Sequence, residues 1–169
     1  MDIITIIRRA VPEDAETLTQ ITWLSKAHWG YDEAFMAVAR PIMRIQPGKI
    51  RDYDYFVLET DGQMAGFYSL EDPQGETITL ENLFIDPDHI GTGFGKQLLH
   101  HALATARNQG YQTVVLEADP NAEAFYLKMG AKRVGEHEST VLPGRMLPVM
   151  RFDLIQFTQL EVDKPPNLR

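Results

Sequence analysis

The chain has 169 residues, of which 44% are hydrophobic and 24% are charged, and its formal net charge is −8. This length predicts one domain with a sizeable core. The absence of cysteine excludes disulfides, thiolate metal sites and a cysteine nucleophile. The acidic balance argues against nucleic-acid binding, and no segment is typical of a signal peptide or a membrane span. We therefore expect a cytoplasmic protein without nucleic-acid or membrane partners.

The N-terminal third is predicted to hold one strand and two helices. Residues 3–10 are rich in isoleucine and favour a strand. Pro12, followed by acidic residues, is typical of a helix start, and Gly30 is expected to end that helix. Residues 31–43 predict a second helical segment that breaks at Pro41.

The middle of the chain predicts three strands. Residues 53–72 alternate between apolar and polar side chains on both sides of Asp61-Gly62, which is a strong hairpin signal. Residues 76–87 predict the third strand, ended by Pro87. The next stretch, "DPDHIGTGFGKQLLHHALATA" (residues 86–106), has apolar residues at helical spacing after its glycines.

The last part predicts a strand at residues 111–120, a short helix closed by Gly130, and strands at residues 131–136 and 147–154. The tail at residues 161–169 is polar. Hairpin strands joined to a strand-helix-strand unit indicate a mixed sheet flanked by helices.

Three alternate glycines, Gly91, Gly93 and Gly95, stand between a strand and this helix. The first N–H groups of a helix have no intrahelical partner, so glycines there let an anion such as a pyrophosphate approach closely. A tight turn that requires positive φ would also explain them. A P-loop has a different glycine spacing and a Ser or Thr at the position of Gln97. A dinucleotide fingerprint has its third glycine at the position of Lys96, so neither motif fits.

The stretch at residues 90–95 resembles the acetyl-CoA motif of the GCN5-related N-acetyltransferase (GNAT) superfamily. In that motif an Arg or Gln is followed by two residues, a Gly, one residue, and a Gly or Ala that opens a helix. Gly93 and Gly95 occupy the glycine positions, whereas Ile90 replaces the usual Arg or Gln. Residues 114–136 resemble a later family segment with a strand, an Asn, a helix bearing a Tyr and a Gly-Ala turn.

The resemblance implies an α/β (α+β) fold with a mixed, mostly antiparallel central sheet of about six or seven strands flanked by helices. It implies a single domain over residues 1–160, with residues 161–169 as a tail. The implied activity is an acetyl-CoA-dependent N-acetyltransferase that moves an acetyl group to a primary amine by direct attack in a ternary complex. A non-catalytic acyl-CoA-binding protein, another acyl group or an O-acceptor stay as alternatives. The expected partners are acetyl-CoA and an amine, without a metal, and a homodimer is left open.

The resemblance also assigns residues to the cosubstrate. The backbone of one strand would pair with the pantetheine arm like an added strand, and an N–H near Leu83 would polarise the thioester carbonyl. Asn121 would hydrogen-bond the pantetheine, although it also fits an ordinary helix N-cap. The expected cosubstrate-binding residues are Leu83, Phe84 and Ile85 on the strand and Gly91, Thr92, Gly93, Phe94, Gly95 and Lys96 at the glycines.

Two side chains are implied to carry the chemistry. Tyr126 would protonate the leaving thiolate, since a phenol with a pKa near ~10 keeps its proton at neutral pH; the alternative is a core aromatic beside Phe125. Glu81 would deprotonate the amine, because strand alternation places it on the face of Leu83 and Ile85. Glu117 is the rival base.

The expected acceptor pocket lies around the break after the first helix. Its aromatic residues would suit a cationic amine by cation–π attraction, and an arginine of the C-terminal loop would enter the site. These residues are His28, Trp29, Tyr31 and Arg145.

Overall fold

The computed structural model describes residues 3–156, so the predicted tail at 161–169 lies outside the described residues. One seven-stranded sheet has the strand order β1-β2-β3-β4-β5-β7-β6. Only the contact between β4 and β5 is parallel, and the other neighbours are antiparallel. The predicted fold class, a mixed and mostly antiparallel sheet flanked by helices, is thereby confirmed. The strands are β1 (Thr5–Arg9), β2 (Asp54–Thr60), β3 (Gln63–Gln74), β4 (Thr77–Ile85), β5 (Thr113–Glu117), β6 (Lys132–Glu138) and β7 (Met146–Asp153).

Within residues 3–156, five α-helices cover the sheet, and their pattern mostly follows the sequence. The helices are α1 (Ala15–His28), α2 (Glu33–Ile42), α3 (Pro47–Asp52), α4 (Phe94–Asn108) and α5 (Glu123–Lys128). The short helix α3 was not predicted. The expected break at Pro41 is wrong by one residue, since α2 runs through Pro41 and ends at Ile42. A proline in the last turn removes one hydrogen bond without interrupting the preceding turns.

The two faces of the sheet carry two hydrophobic clusters. On one face, α4 packs Leu98, Leu99 and Leu103 against the central strands, together with Tyr126 of α5. On the other face, Leu18 and neighbouring apolar residues of α1 pack with α3 against β2 and β3. Burial on both faces holds the sheet between helices, as a strand-helix-strand unit requires.

The hairpin predicted at Asp61-Gly62 joins β2 to β3. Both turn residues have positive φ, 49° at Asp61 and 78° at Gly62. Two consecutive positive φ values are typical of the turn that matches strand twist, and an Asp-Gly pair adopts them at low cost.

The parallel pair β4–β5 opens along its length. Three residues of β4, Thr77 to Thr79, pair with Thr113 to Val115 of β5, and the ladder ends there. The rest of β4, residues 80–85, pairs only with β3 on its other side. The divergence leaves an opening in the middle of the sheet, beside the start of α4.

A β-bulge lies in β4 at the same level. Leu80 faces Leu70 of β3, and Asn82 faces the preceding residue Ser69, so Glu81 is the extra residue. Ile78 and Leu80 therefore lie on the same core face as Leu83 and Ile85. The bulge breaks the strict alternation from which Glu81 was placed with Leu83 and Ile85, although all three residues line the cavity described below.

Candidate active site

A cavity of about 590 Å³ occupies the opening between β4 and β5. Its walls come from the end of α1, the diverging halves of β4 and β5, the start of α4, α5 and the loop between β6 and β7. Of the residues expected in the site, all line the cavity except His28, Tyr31 and Thr92. Thr92 instead donates its hydroxyl to the His89 carbonyl, and His28 packs edge-on against Trp29.

The backbone of β4 offers hydrogen-bonding groups to this opening. Asp86 N–H bonds to the Ala65 carbonyl, which fixes the phase of the antiparallel ladder to β3. By the alternation of such a ladder, Phe84 exchanges hydrogen bonds with Phe67, whereas Leu83 and Ile85 point their N–H and C=O groups away from β3. The expectation that Phe84 also offers free backbone groups was therefore wrong; its side chain lines the cavity.

The glycine stretch lies at the mouth of the cavity and begins α4. Gly91 and Gly93 have φ values of 84° and 85°, so the turn does require glycine there. A Cβ at either position would meet open space. The first hydrogen bond of the helix runs from Gln97 N–H to the Gly93 carbonyl, which leaves the preceding N–H groups available to an anion. The turn and the anion site are thus compatible interpretations of the same residues.

Tyr126 belongs both to the core and to the cavity wall. Its side chain is 7% exposed and contacts Phe125 and Phe152 edge-on, so it is the more buried of the two adjacent aromatics. Burial raises the pKa of the phenol above its ordinary value. The residue therefore keeps its proton at every pH at which the protein would be assayed.

Glu81 is exposed to the cavity yet surrounded by protein. Burial, followed by the nearby charge of Glu71, raises the pKa of Glu81, which is the direction that a general base at neutral pH requires. Glu71 itself is 1% exposed and accepts hydrogen bonds from Tyr55, Ser69 and Lys49, so its charge is fixed in place. The rival base Glu117 lies with its Oε1 3.0 Å from Nδ1 of His137, in an exposed contact.

A polar cluster that the sequence did not predict closes the other end of the cavity. We call it the Asp119 cluster; its members are Lys26, Tyr31, Asp119, Asn121 and Arg145. Lys26 Nζ and Tyr31 Oη both donate to Asp119 Oδ2, at 2.5 and 2.7 Å. The Asn121 amide donates to Asp119 at 2.9 Å and to Tyr31 at 3.3 Å, and Arg145 donates to the Tyr31 hydroxyl.

Two sequence interpretations change at this cluster. The helix-capping alternative for Asn121 was wrong, since Asp119 caps the short 3-10 turn by accepting from Asn121 N–H. The aromatic pair Tyr31 and Phe35, stacked at 4.2 Å, already carries protein cations. Lys26 and Arg145 lie 4.9 and 4.8 Å from the Tyr31 ring centre. Of the aromatic residues expected to hold a substrate amine, Tyr31 is thus occupied by protein cations, whereas Trp29 lines the cavity.

The cluster stabilises the negative charge of Asp119 more than the positive charge of Lys26. Burial alone would raise the pKa of Asp119, but hydrogen bonds from Lys26 and Tyr31 outweigh it and hold that pKa below its ordinary value. Burial lowers the pKa of Lys26 despite its bond to Asp119. No sequence pattern could show the Asp119 cluster, because its members come from α1, the α1–α2 connection and the loops after β5 and β6.

Comparison with known proteins agrees with this architecture. The profile of the acetyltransferase (GNAT) family matches residues 16–131. The chain is 34% identical over 145 residues to the peptidyl-lysine N-acetyltransferase YjaB of Salmonella typhimurium, covering 85% of this chain and 94% of the relative. It is 26% identical over 132 residues to the 5-NmdU N-acetyltransferase of Pseudomonas phage PaMx11, covering 78% of this chain and 89% of that protein.

Solved structures share the fold at low sequence identity. The PaiA N-acetyltransferase of Thermoplasma acidophilum, in complex with coenzyme A, superimposes with a TM-score of 0.75 at 21% identity, covering 89% of this chain and 99% of the other. YncA of Salmonella typhimurium with acetyl-CoA gives 0.66 at 20% identity, covering 92% and 96%. A parallel pair that opens beside a glycine-rich helix start, together with the family profile, places this chain in the GNAT family of N-acetyltransferases.

Residues 3–156 offer neither a metal-binding cluster nor a membrane-spanning helix. They contain no group of three or more His, Asp or Glu side chains arranged to hold a metal ion. Within the same range, no helix has the length and apolar character needed to cross a membrane.

Proposed function

We propose that this chain transfers the acetyl group of acetyl-CoA to a primary amine by direct attack within a ternary complex. The observation that carries the proposal is the opening between β4 and β5. It presents free backbone groups of Leu83 and Ile85 to one cavity that also contains a raised-pKa carboxylate and a protonated phenol.

The residues present fit acetyl-CoA. Leu83 and Ile85 would pair with the amide groups of the pantetheine arm as an added strand. The free N–H groups from Gly93 to Lys96 would bind the pyrophosphate, helped by the helix dipole. Ile90 is exposed at the cavity and supplies no charge, so the pyrophosphate would be bound by backbone donors without a charged side chain at position 90.

The chemistry then divides between two side chains. Glu81 takes a proton from the acceptor ammonium, directly or through a water, so that the amine can attack the thioester carbonyl. The Leu83 N–H would stabilise the oxyanion that forms. As the C–N bond forms and the C–S bond breaks, Tyr126 gives its proton to the departing thiolate.

The test is an acetyl-CoA turnover assay over a panel of primary amines, with thiol release followed continuously and the product mass measured. We expect release that depends on the amine and a product heavier by one acetyl group. CoA binding without release for any amine would instead support the acyl-CoA-binding alternative. A product on a hydroxyl group, or transfer only of other acyl groups, would support the acyltransferase alternative.

A further inference from the structure

The Asp119 cluster holds more positive than negative charge. Lys26 Nζ lies 2.5 Å and Arg145 Nη2 lies 3.7 Å from the same Asp119 oxygen. Tyr31 is neutral, since burial and its bond to Asp119 raise its pKa to about 12. Two cations therefore face one carboxylate, and the surplus is one positive charge on a protein whose net charge is −8.

Arg145 exposes the excess positive charge of the Asp119 cluster to the cavity. A guanidinium group has five N–H donors in a planar fork. Within residues 3–156, only Nη2 of Arg145 has a protein partner, and the remaining side-chain nitrogens are not among the buried unpaired atoms. The side chain is 17% exposed and lines the cavity. A planar fork with free donors suits a carboxylate or a phosphate group.

The acidic residues of the cavity do not cancel this charge. Glu81 interacts with Glu71, Lys49, Asp72 and Glu117, none of which belongs to the Asp119 cluster. The charged groups that shift the pKa of Lys26 are Asp119 and Arg145, both of the Asp119 cluster. The cavity thus has two separate electrostatic regions, one acidic around Glu81 and one cationic at the Asp119 cluster.

We infer that the acceptor is an amine that also carries a carboxylate or phosphate group, which Arg145 and Lys26 bind at the Asp119 cluster. This inference rests on the proposed function, because the subsite belongs to the acceptor of that reaction. A cationic group would meet the surplus positive charge and rings that already hold two cations. An anionic group would complete the charge balance and anchor the molecule while its amine reacts near Glu81.

The experiment compares amines that differ only in the anionic group. One pair is L-phenylalanine and phenethylamine, and the other is O-phosphoethanolamine and ethanolamine, so the pairs separate carboxylate from phosphate. Arg145→Gln removes the fork. We expect it to raise KM for at least one amine that bears the anionic group by about 10-fold or more, with the matched amine that lacks the group and acetyl-CoA changed less than about twofold. The KM of each variant is divided by the wild-type KM for the same amine, so that differences in intrinsic reactivity between the amines cancel.

Arg44→Gln is the matched control. Arg44 also pairs with a carboxylate, Glu16 at 3.0 Å, and lies 5.0 Å from the Trp23 ring centre, but it does not line the cavity. We expect it to leave all KM values unchanged. Circular dichroism and CoA calorimetry report whether each variant folds. If Arg145→Gln fails to fold, Arg145→Lys replaces it, with an intermediate KM expected because one point charge replaces a fork.

The results distinguish failure of this inference from failure of the proposed acetyltransferase function. If Arg145→Gln changes turnover equally for amines with and without the anionic group, or does not change it at all, the inference is overturned and the proposed function stands. A wild-type preference, in both pairs, for the amine that lacks the anionic group does the same. CoA binding with no acetyl transfer to any amine overturns both.

Discussion

Tyr126 joins two roles in one side chain, since its ring completes the main core while it also lines the cavity. The described residues give its hydroxyl no hydrogen-bond partner, so Tyr126→Phe removes the proton donor without removing a protein contact. We expect kcat to fall by about 10²–10⁴-fold, the range for lost acid–base help. The CoA dissociation constant and the melting temperature should scarcely change. The loss should shrink at high pH, where the thiolate leaves more easily unaided.

Tyr111→Phe is the control for this change. Tyr111 packs half-buried against the same core but does not line the cavity, so its hydroxyl should be dispensable for turnover. A loss below threefold for Tyr126→Phe would assign the protonation of the sulfur to water or another group. Unfolding of the Tyr126→Phe variant would indicate that Tyr126 has a purely structural role.

Substitution of Glu81 should change stability and activity in opposite directions. Its folded pKa is raised, so ionisation of Glu81 costs stability as the pH rises from the unfolded value of about 4.3 through the folded value. Glu81→Gln should therefore be more stable than wild type at neutral pH, and this gain should vanish below about pH 4. The same change should lower kcat and flatten the acid limb of the pH–rate profile.

Thermal unfolding at several pH values and a pH–rate profile measure both effects. Glu117→Gln serves as the comparison, because this rival base is paired with His137 and should tolerate the change. If Glu117→Gln loses the acid limb instead, the two glutamates exchange roles.

At the scale of elements, β4 makes the most specific prediction. Its Leu83 and Ile85 amides should be free in the unliganded protein, and they should exchange with solvent faster than the Phe84 amide, which is paired with β3. Saturating CoA should slow exchange at Leu83 and Ile85 and leave Phe84 almost unchanged. Amide exchange followed by NMR resolves the three neighbours. Protection at Phe84 alone would place the ligand elsewhere.

Glycines at the two ends of α4 allow a matched test of the proposed pyrophosphate site. Gly93 and Gly110 flank the helix with similar φ values, 85° and 91°, and a Cβ would meet open space at both. Glutamate at either position should therefore cost similar backbone strain. Only Gly93→Glu places a carboxylate at the proposed pyrophosphate site, so CoA affinity should fall more than about 10-fold there and stay near wild type for Gly110→Glu. Equal affinities by calorimetry would move the phosphate site away from α4.

The elements differ in how far the sequence predicts them. The Asp61-Gly62 hairpin and the amphipathic helix α4 follow from local patterns, and both are confirmed. The bulge at Glu81 escapes such a pattern because period-two alternation assumes an unbroken ladder, whereas register depends on the partner strand. The Asp119 cluster escapes for another reason: Lys26 and Arg145 are distant in sequence and meet only after the sheet has formed.

At the scale of the whole molecule, the cavity and the core share the same strands. Both hydrophobic clusters pack against the single seven-stranded sheet, and the cavity opens between two of its central strands. A ligand in that opening would bind the folded chain and not the unfolded one. Binding should therefore stabilise the whole fold as one unit.

Thermal unfolding with and without CoA tests this coupling. A ligand at about 100 times its dissociation constant contributes about 2.7 kcal/mol, which corresponds to a rise in melting temperature of about 5–10 °C for a domain of this size. We expect one transition over the whole chain, shifted by CoA. ATP is the control, since it carries adenine and phosphates but lacks the pantetheine arm that Leu83 and Ile85 would bind, and its shift should be clearly smaller. Two transitions of which CoA moves only one would show that the halves of the sheet unfold separately. Equal shifts with ATP and CoA would mean that the opening between β4 and β5 contributes nothing to binding.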